Sequence, residues 1–176
     1  MADLATLLTL SPDATEQWDW PNVGVRFDVN AYVTAIEPPL ELVTSVRAIA
    51  FRGDEVFVFD SEGTTHAIPG GHREPGEAPD AALVREIHEE IGCAIAGTPR
   101  RLGIFHLRTL TPRRVDQKYP YPDTLQWVFV AEVTGEAIPS GDPFVINGRF
   151  VSLDAARALL ASVGERVFLD AAVASR

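Results

Sequence analysis

The sequence predicts an α/β domain in which helices pack on a β-sheet. Three observations carry that expectation. Apolar residues alternate in several short runs, as half-buried strands require. Glycine and proline clusters separate those runs. A long amphipathic segment interrupts the strands, and a shorter one follows near the C-terminus. At 176 residues the chain suits one domain with one hydrophobic core.

Residues 1–40 read as an extension ahead of a core domain over 41–176. Leu4, Leu7 and Leu8 have helical spacing, and Ser11-Pro12 ends that run. Val23, Val25, Phe27 and Val29 alternate with Gly24, Arg26 and Asp28, which predicts a strand with one buried face. Trp18 and Trp20 read as exposed. With that strand they could form an edge for a second copy of the chain, so a homodimer is an expectation here. Pro38-Pro39 punctuates the extension.

In the core, residues 46–51 and 55–59 predict two strands joined by the turn Arg52-Gly53-Asp54. Residues 69–79 form a glycine- and proline-rich loop. Residues 80–91 predict a helix capped by Asp80 and stopped by Gly92. Residues 102–110 predict a strand, and a polar, proline-rich loop follows to Asp123. Residues 125–133 predict a strongly apolar strand, and residues 149–151 a short one. Ser152 caps a helix that runs through Leu160.

Composition narrows the function classes. Hydrophobic residues make up 46% and charged residues 23%, an ordinary globular mix. A net charge of −10 argues against a protein that grips long nucleic acid through its phosphates, which needs positive surface. A small phosphorylated substrate is compatible with a local basic patch and a bound cation. The single cysteine, Cys93, excludes a disulfide framework within the chain and a cysteine-based zinc site. The apolar run Leu4 to Leu10 is too short for a membrane span and lacks the marks of a leader. A cytoplasmic location, with no membrane partner, is the expectation.

The chemistry concentrates in GGHREPGEAPDAALVREIHEEIGC, residues 70–93. At ~100° per residue, Val84, Ile87 and Ile91 share one helix face and are expected to pack on the sheet. Glu86, Glu89 and Glu90 fall within about 100° of one another, expected on the opposite side. None has a Lys or Arg at i+4. Like charges at that spacing cost a helix ~0.2–0.5 kcal/mol per pair. A divalent cation reverses the sign of that interaction, and hard cations such as Mg²⁺ prefer carboxylate oxygens. The glycines of residues 70–76 are permissive enough to bring a backbone carbonyl to the same place. Taken alone, a glutamate-rich face is more often just a solvated acidic surface.

The spacing tips the balance. Gly71, Glu77, Arg85-Glu86, Glu89-Glu90 and Gly92 stand in the order of the Nudix box, with Ile87 and Cys93 at its apolar positions. A chance match in this chain is on the order of 10⁻⁷. Most of residues 44–162 resembles the Nudix hydrolases. The resemblance implies an α/β/α sandwich around a mixed sheet. It also implies hydrolysis of a diphosphate linkage in a nucleoside diphosphate-linked compound, by water attack on phosphorus. Glu86, Glu89 and Glu90 match the family's metal-binding glutamates, and the carbonyl of Gly70 matches a backbone ligand for Mg²⁺, with Mn²⁺ as a substitute. Glu77 and Arg85 match a pair that braces the loop against the helix. Metals in this family act as Lewis acids and water activators, and the carboxylates position the water and can take its proton.

Other positions carry weaker expectations. Cys93 replaces an aliphatic residue and reads as packing. His66 stands where an aromatic often precedes Pro-Gly-Gly, and reads as a strand-end histidine or a stacking group. Glu132, in LQWVFVAEV, lies 42 residues after Glu90. Some family members place a further metal ligand there, and a strand-end carboxylate is the alternative. Many others carry an acid in the slot that Phe144 occupies here, with Glu136 and Asp142 the nearest acids. Residues 100–118 hold Arg100, Arg101, Arg108, Arg113, Arg114 and Lys118 against one acid, Asp116, a net +5 window. Substrate phosphates need such cations, and Arg108, Arg113 and Arg114 are the candidates, with a solvated loop face as the alternative. The run Gln117, Tyr119, Pro120, Tyr121, Pro122 and Thr124 resembles the segment after the box in NADH pyrophosphatases. Tyr119 and Tyr121 would then stack on a base, or else pack as a rigid turn.

A Nudix fold without catalysis, acting as a nucleotide-binding module, is the competing reading. Such modules usually lose box glutamates, and all are present here. An isomerase on the same fold would want a cysteine outside the box, and there is none.

Overall fold

The computed structural model describes residues 3–138 and 143–176. Its elements in chain order are α1 (Leu4–Leu8), β1 (Ala14–Trp20), β2 (Val25–Val33), β3 (Val43–Arg52), β4 (Glu55–Ser61), β5 (Thr64–His66), α2 (Pro79–Ile91), β6 (Ala94–Thr109), β7 (Asp123–Thr134), β8 (Ile146–Ser152), α3 (Leu153–Leu159) and α4 (Val163–Ala174). The strands form one mixed sheet in the order β1-β2-β6-β7-β3-β4-β5, with β8 paired to β4. The β3–β7 pair is parallel and the others are antiparallel.

Two apolar layers flank the sheet. On one face, Ala82, Leu83, Ile87 and Ile91 of α2 pack on Val46, Ala48 and Ala50 of β3 and on Trp127, Phe129 and Ala131 of β7. On the other, Phe168, Leu169 and Ala172 of α4 pack on Ile49 and Phe51 of β3, Val128 and Val130 of β7, and Phe105 of β6. The odd and even residues of β3 and β7 therefore serve opposite layers, as strand alternation dictates. This is the helix–sheet–helix sandwich expected.

Several local expectations need correction. Asp80 is not the cap of α2: Ala78 holds the cap position, Pro79 starts the helix, and Asp80 sits in the first turn. Proline is at home there because its missing N–H would have no helical partner. Gly92 does end α2, in the left-handed conformation at φ 71°. The strand over 102–110 is the second half of a longer β6. The strand from 149 begins at Ile146. Neither β1 nor α4 was legible in advance, and Trp18, on the edge strand β1, is half-buried rather than exposed. It packs against Phe105 at 5.3 Å and contributes to the α4 layer, while Trp20 stays exposed.

The feature that positions the site is a split in the sheet. β3 and β4 pair only at the hairpin end, Phe51 with Val56 and Arg52 with Glu55. Beyond that point β4 leaves toward β8 and β5. Residues 69–73 fill the freed edge of β3: Ala48 N donates to Pro69 O, Val46 N to Gly71 O and Arg73 N to Thr44 O. Gly70 is held so close that a Cβ there would stand 2.3 Å from Val46 O, and its φ is +131°. Only glycine meets both demands.

Candidate functional site

The glycine loop and α2 meet beside the split. The buried stripe of α2 is Ala82, Leu83, Glu86, Ile87, Glu90 and Ile91. The predicted faces were thus wrong in a specific way. Val84 is 51% exposed, whereas Glu86 and Glu90 are only 8% and 7% exposed and lie on the same side as Leu83 and Ile87. Glu89 alone of the three stays in solvent. Buried carboxylates need partners, and these have them. Glu90 Oε2 accepts from Gly70 N at 2.6 Å. Glu86 Oε1 accepts from Arg85 Nη1 at 2.8 Å. Room for Glu86 exists because residue 71 is glycine: a Cβ there would stand 2.4 Å from Glu86 Oε2.

Arg85 organises the acids. It grips Glu77 with two hydrogen bonds, Nε to Oε1 at 3.0 Å and Nη2 to Oε2 at 2.9 Å. Nη1 also reaches Glu89 at 3.0 Å, and Nη2 reaches His72 O at 3.1 Å. The relief for the crowded glutamates therefore comes from the N-terminal side, at i−4 of Glu89, where the sequence reading had looked only at i+4. The hydrogen bonds from Arg85, with the Glu74 amide, hold the Glu77 carboxyl down at about 2. The Glu77 contact in turn raises Arg85 above its ordinary value. Burial pushes Glu86 above the usual carboxylate range, and Arg85 only partly opposes it. Arg73 backs the loop by donating to the carbonyls of Leu40, Val43 and Glu77.

Two residues that sequence reasoning passed over stand at the same place. Arg47 of β3 donates from Nη1 to Gly70 O, the carbonyl expected to face a metal, and its Nε is buried with no hydrogen-bond partner. An arginine inside the apolar run VRAIAF was the signal that could have found it. His72 stacks on Tyr119 at 4.8 Å and 17°, and burial, followed by the charge of Arg47, lowers its proton affinity.

Glu132 does not join this group. Its neighbours Ala131 and Val133 face the α2 layer, so Glu132 faces the α4 side. It pairs with Arg176 at 3.0 Å and sits in register with Phe51, five residues beyond the Trp127–Val46 pair at the loop. Glu136 pairs with Arg52, and Phe144 is exposed. Asp142 lies outside the described residues.

The basic window disperses. Arg101 reaches back to Glu37 and lies over Trp127, and Arg100 bonds Ser175. Arg108 pairs with Asp123 at 3.5 Å, and Arg114 holds Asp116 and the Val23 carbonyl. Arg113 is exposed. Among the described residues, none of Arg108, Arg113 and Arg114 bonds to α2 or the glycine loop. Tyr121 bonds Thr111 O at 3.3 Å, so of the five candidate substrate contacts only Tyr119 touches the box. His66, at the end of β5, meets Glu165 of α4 through Nδ1 at 2.7 Å. Cys93 is fully buried, as packing requires.

The donor set suits a hard divalent cation: two buried carboxylates, a third in solvent and a backbone carbonyl, all oxygen. The space where a Cβ at 71 would sit keeps Glu86 in that set. Among the described residues, no three acids, histidines or cysteines converge as a metal cage, and Gly70 N and Arg85 hold the two buried carboxylates.

A fold of this kind with a glycine loop braced to a glutamate-bearing helix defines a class, and comparison with known proteins gives the same class. The NUDIX domain model matches residues 41–171, and the chain belongs to that family. Among curated proteins, it is similar to the NAD-capped RNA hydrolase NudC of Pseudomonas aeruginosa, with 32% identity over 148 residues. That match covers 76% of this chain and 47% of the relative, so the chain spans about half the length of the curated relatives it matches. Among solved structures, the pyrophosphohydrolase BsRppH of Bacillus subtilis aligns with a TM-score of 0.60 at 16% identity, over 85% of this chain and 92% of that one. A NUDIX hydrolase from Nitrosomonas europaea aligns with a TM-score of 0.56 at 20% identity, over 76% and 90%. Both likenesses concern the fold.

Proposed function

We propose that this protein is a Mg²⁺-dependent hydrolase of a diphosphate linkage in a dinucleotide-like compound, cleaving by water attack on phosphorus. The observation that supports the reading is the burial of Glu86 and Glu90 beside the Gly70–Gly71 backbone, on the same helix stripe as Leu83 and Ile87. Arg85 and the Gly70 amide hold both carboxylates at the loop, which gathers hard oxygen donors beside the Gly70 carbonyl.

In this reading Glu86, Glu89, Glu90 and the Gly70 carbonyl hold the metal. When bound, Mg²⁺ supplies charge neutralisation at the phosphate oxygens and makes a water more acidic. The Arg85–Glu77 pair fixes the loop against α2 and keeps Glu86 and Glu89 side by side. One of the three glutamates orients the attacking water and accepts its proton. Tyr119, stacked on His72, offers a flat platform for a base beside the reacting centre. The net charge of −10 disfavours a grip on a long RNA chain. The name of the curated relatives points to nicotinamide dinucleotide linkages. Free dinucleotides of the NADH type are therefore the first substrates to test.

The competing reading is a silent nucleotide-binding module. A panel of NADH, ADP-ribose, diadenosine polyphosphates, nucleoside triphosphates and CoA, each with Mg²⁺, Mn²⁺ or EDTA, separates the two. Metal-dependent release of monophosphates from one of them is expected. Tight nucleotide binding with no turnover across the panel would favour the silent module. Glu89→Gln retaining full activity would remove the metal assignment.

A further inference from the structure

Arg47 is the one cationic side chain whose guanidinium reaches the carbonyl expected to face a metal, among the described residues. It lies in β3 paired with Val128, its side chain starts on the α4 face by alternation with Val46 and Ala48, and it reaches the Gly70 carbonyl where β3 and β4 have parted. Its charge acts on Glu86 as well as on His66 and His72, so it lies within electrostatic reach of the helix acids and of the stacked platform. Its Nε is buried without a partner. A guanidinium has five donors in a rigid fork, and leaving one buried and unmet is a cost the residue would shed in a better position.

Resting on the reading above, we propose that Arg47 occupies the cation position in the metal-free protein and moves onto a substrate phosphate oxygen when a metal takes the Gly70 carbonyl. The two positions exclude each other. A divalent ion and a guanidinium sharing one carbonyl oxygen would stand a few ångströms apart in a half-buried site, where like charges are poorly screened. Departure of Arg47 satisfies the orphaned Nε if the acceptor is a phosphate, whose oxygens match the guanidinium fork. Arg47 is then a stand-in that keeps Glu86 and the Gly70 carbonyl compensated at rest, and a substrate-binding residue when the site is loaded. Metal and substrate would bind cooperatively, because the arginine displaced by one is the ligand of the other.

The test measures Mn²⁺ binding to metal-free protein by titration calorimetry, without substrate, for the wild type, Arg47→Met, Arg47→Lys and Glu90→Gln. Arg47→Met keeps much of the stem and removes the charge. It is expected to bind Mn²⁺ roughly tenfold more tightly than wild type and to raise KM for the best dinucleotide by a similar factor. Arg47→Lys, which keeps charge without the fork and covers the case of a misfolded methionine variant, is expected to bind Mn²⁺ like wild type and still show the raised KM. Unchanged or weaker Mn²⁺ affinity in folded Arg47→Met overturns the proposal. If Glu90→Gln loses Mn²⁺ binding in the same series, the metal-site reading survives that failure. Absence of Mn²⁺ binding in wild type and Arg47→Met alike overturns both.

Discussion

Gly71→Ala isolates the contribution of one carboxylate to catalysis from its contribution to the fold. A Cβ at residue 71 would lie 2.4 Å from Glu86 Oε2, 2.6 Å from Cδ and 2.8 Å from Oε1. Non-bonded carbon and oxygen settle near ~3.5 Å, so the Glu86 carboxylate must retreat by about 1 Å. The three nearest atoms all belong to that one side chain, and φ at Gly71 lies outside the left-handed region. The fold therefore loses little: an off-rotamer glutamate costs about 0.5–1.5 kcal/mol. In a chain of this size that lowers Tm by only a few degrees, at roughly 2–4 °C per kcal/mol. At the reacting centre the same 1 Å displacement costs on the order of 100-fold in rate, or about 2.7 kcal/mol of barrier. The assay is steady-state hydrolysis of the best substrate at saturating Mg²⁺, with thermal melting alongside. The expected result is kcat down about 100-fold in a folded protein. A folded Gly71→Ala enzyme working at more than half the wild-type rate would show that the Glu86 carboxylate is not at the reacting centre.

Three further perturbations test other parts of the structure. Glu165 is 1% exposed and accepts from Ala67 N and meets His66 Nδ1, each at 2.7 Å. Glu165→Gln should therefore cost roughly 2–4 kcal/mol in urea unfolding. Burial alone would push His66 down, but the hydrogen bond and charge of Glu165 leave it above its ordinary 6.5. Its stabilising contribution is full below that value and fades as pH rises through the higher folded one. Wild-type stability should show this decline above pH 6.5, and Glu165→Gln should flatten it. Gly103→Ala places a Cβ 2.1 Å from the Tyr32 carbonyl oxygen and 2.6 Å from Phe168, so the β2–β6 pair must open. The expected loss is about 1–3 kcal/mol by denaturation, and unchanged stability would contradict the packing described. Tyr119→Ala removes the partner of His72. It should raise KM for a base-bearing substrate about tenfold or more with kcat little altered, as stacking is worth ~1–3 kcal/mol. A fall in kcat at constant KM would place Tyr119 elsewhere in the mechanism.

The family resemblance implied the brace between Glu77 and Arg85, and sequence patterning located α2, its stop at Gly92 and the β3–β4 hairpin. It failed where local rules compete with tertiary partners. Periodicity put Glu86 and Glu90 on the side of α2 opposite Val84, Ile87 and Ile91. The burial of the two glutamates depends on Gly70 N and Arg85, which no helical wheel contains. Val84 was assigned to the core, being apolar, and is exposed. The run ATEQWDW of β1 alternates only weakly, since it is an edge strand with one half-buried face. The basic window around Arg101 and Arg108 reads in the sequence as nearly unopposed charge because counting is local. Glu37 and Asp123, which answer those two arginines, come from outside it. Glu132 had the right distance along the chain, but strand parity and the Arg176 pair put it elsewhere.

The main-chain bonds that tie residues 69–73 to β3 also bear on how the protein breathes. The amides of Val46, Ala48 and Arg73 are locked between the loop and a central strand, so their hydrogens should exchange with solvent only when β3 itself opens. The loop would then belong to the slowest-exchanging unit of the molecule. The segment 110–122 that carries Tyr119 is tied differently: it meets the rest of the chain through Leu110 N to Arg26 O, Arg114 to Val23 O and the Tyr119–His72 stack, so its remaining amides should exchange sooner than those of the loop.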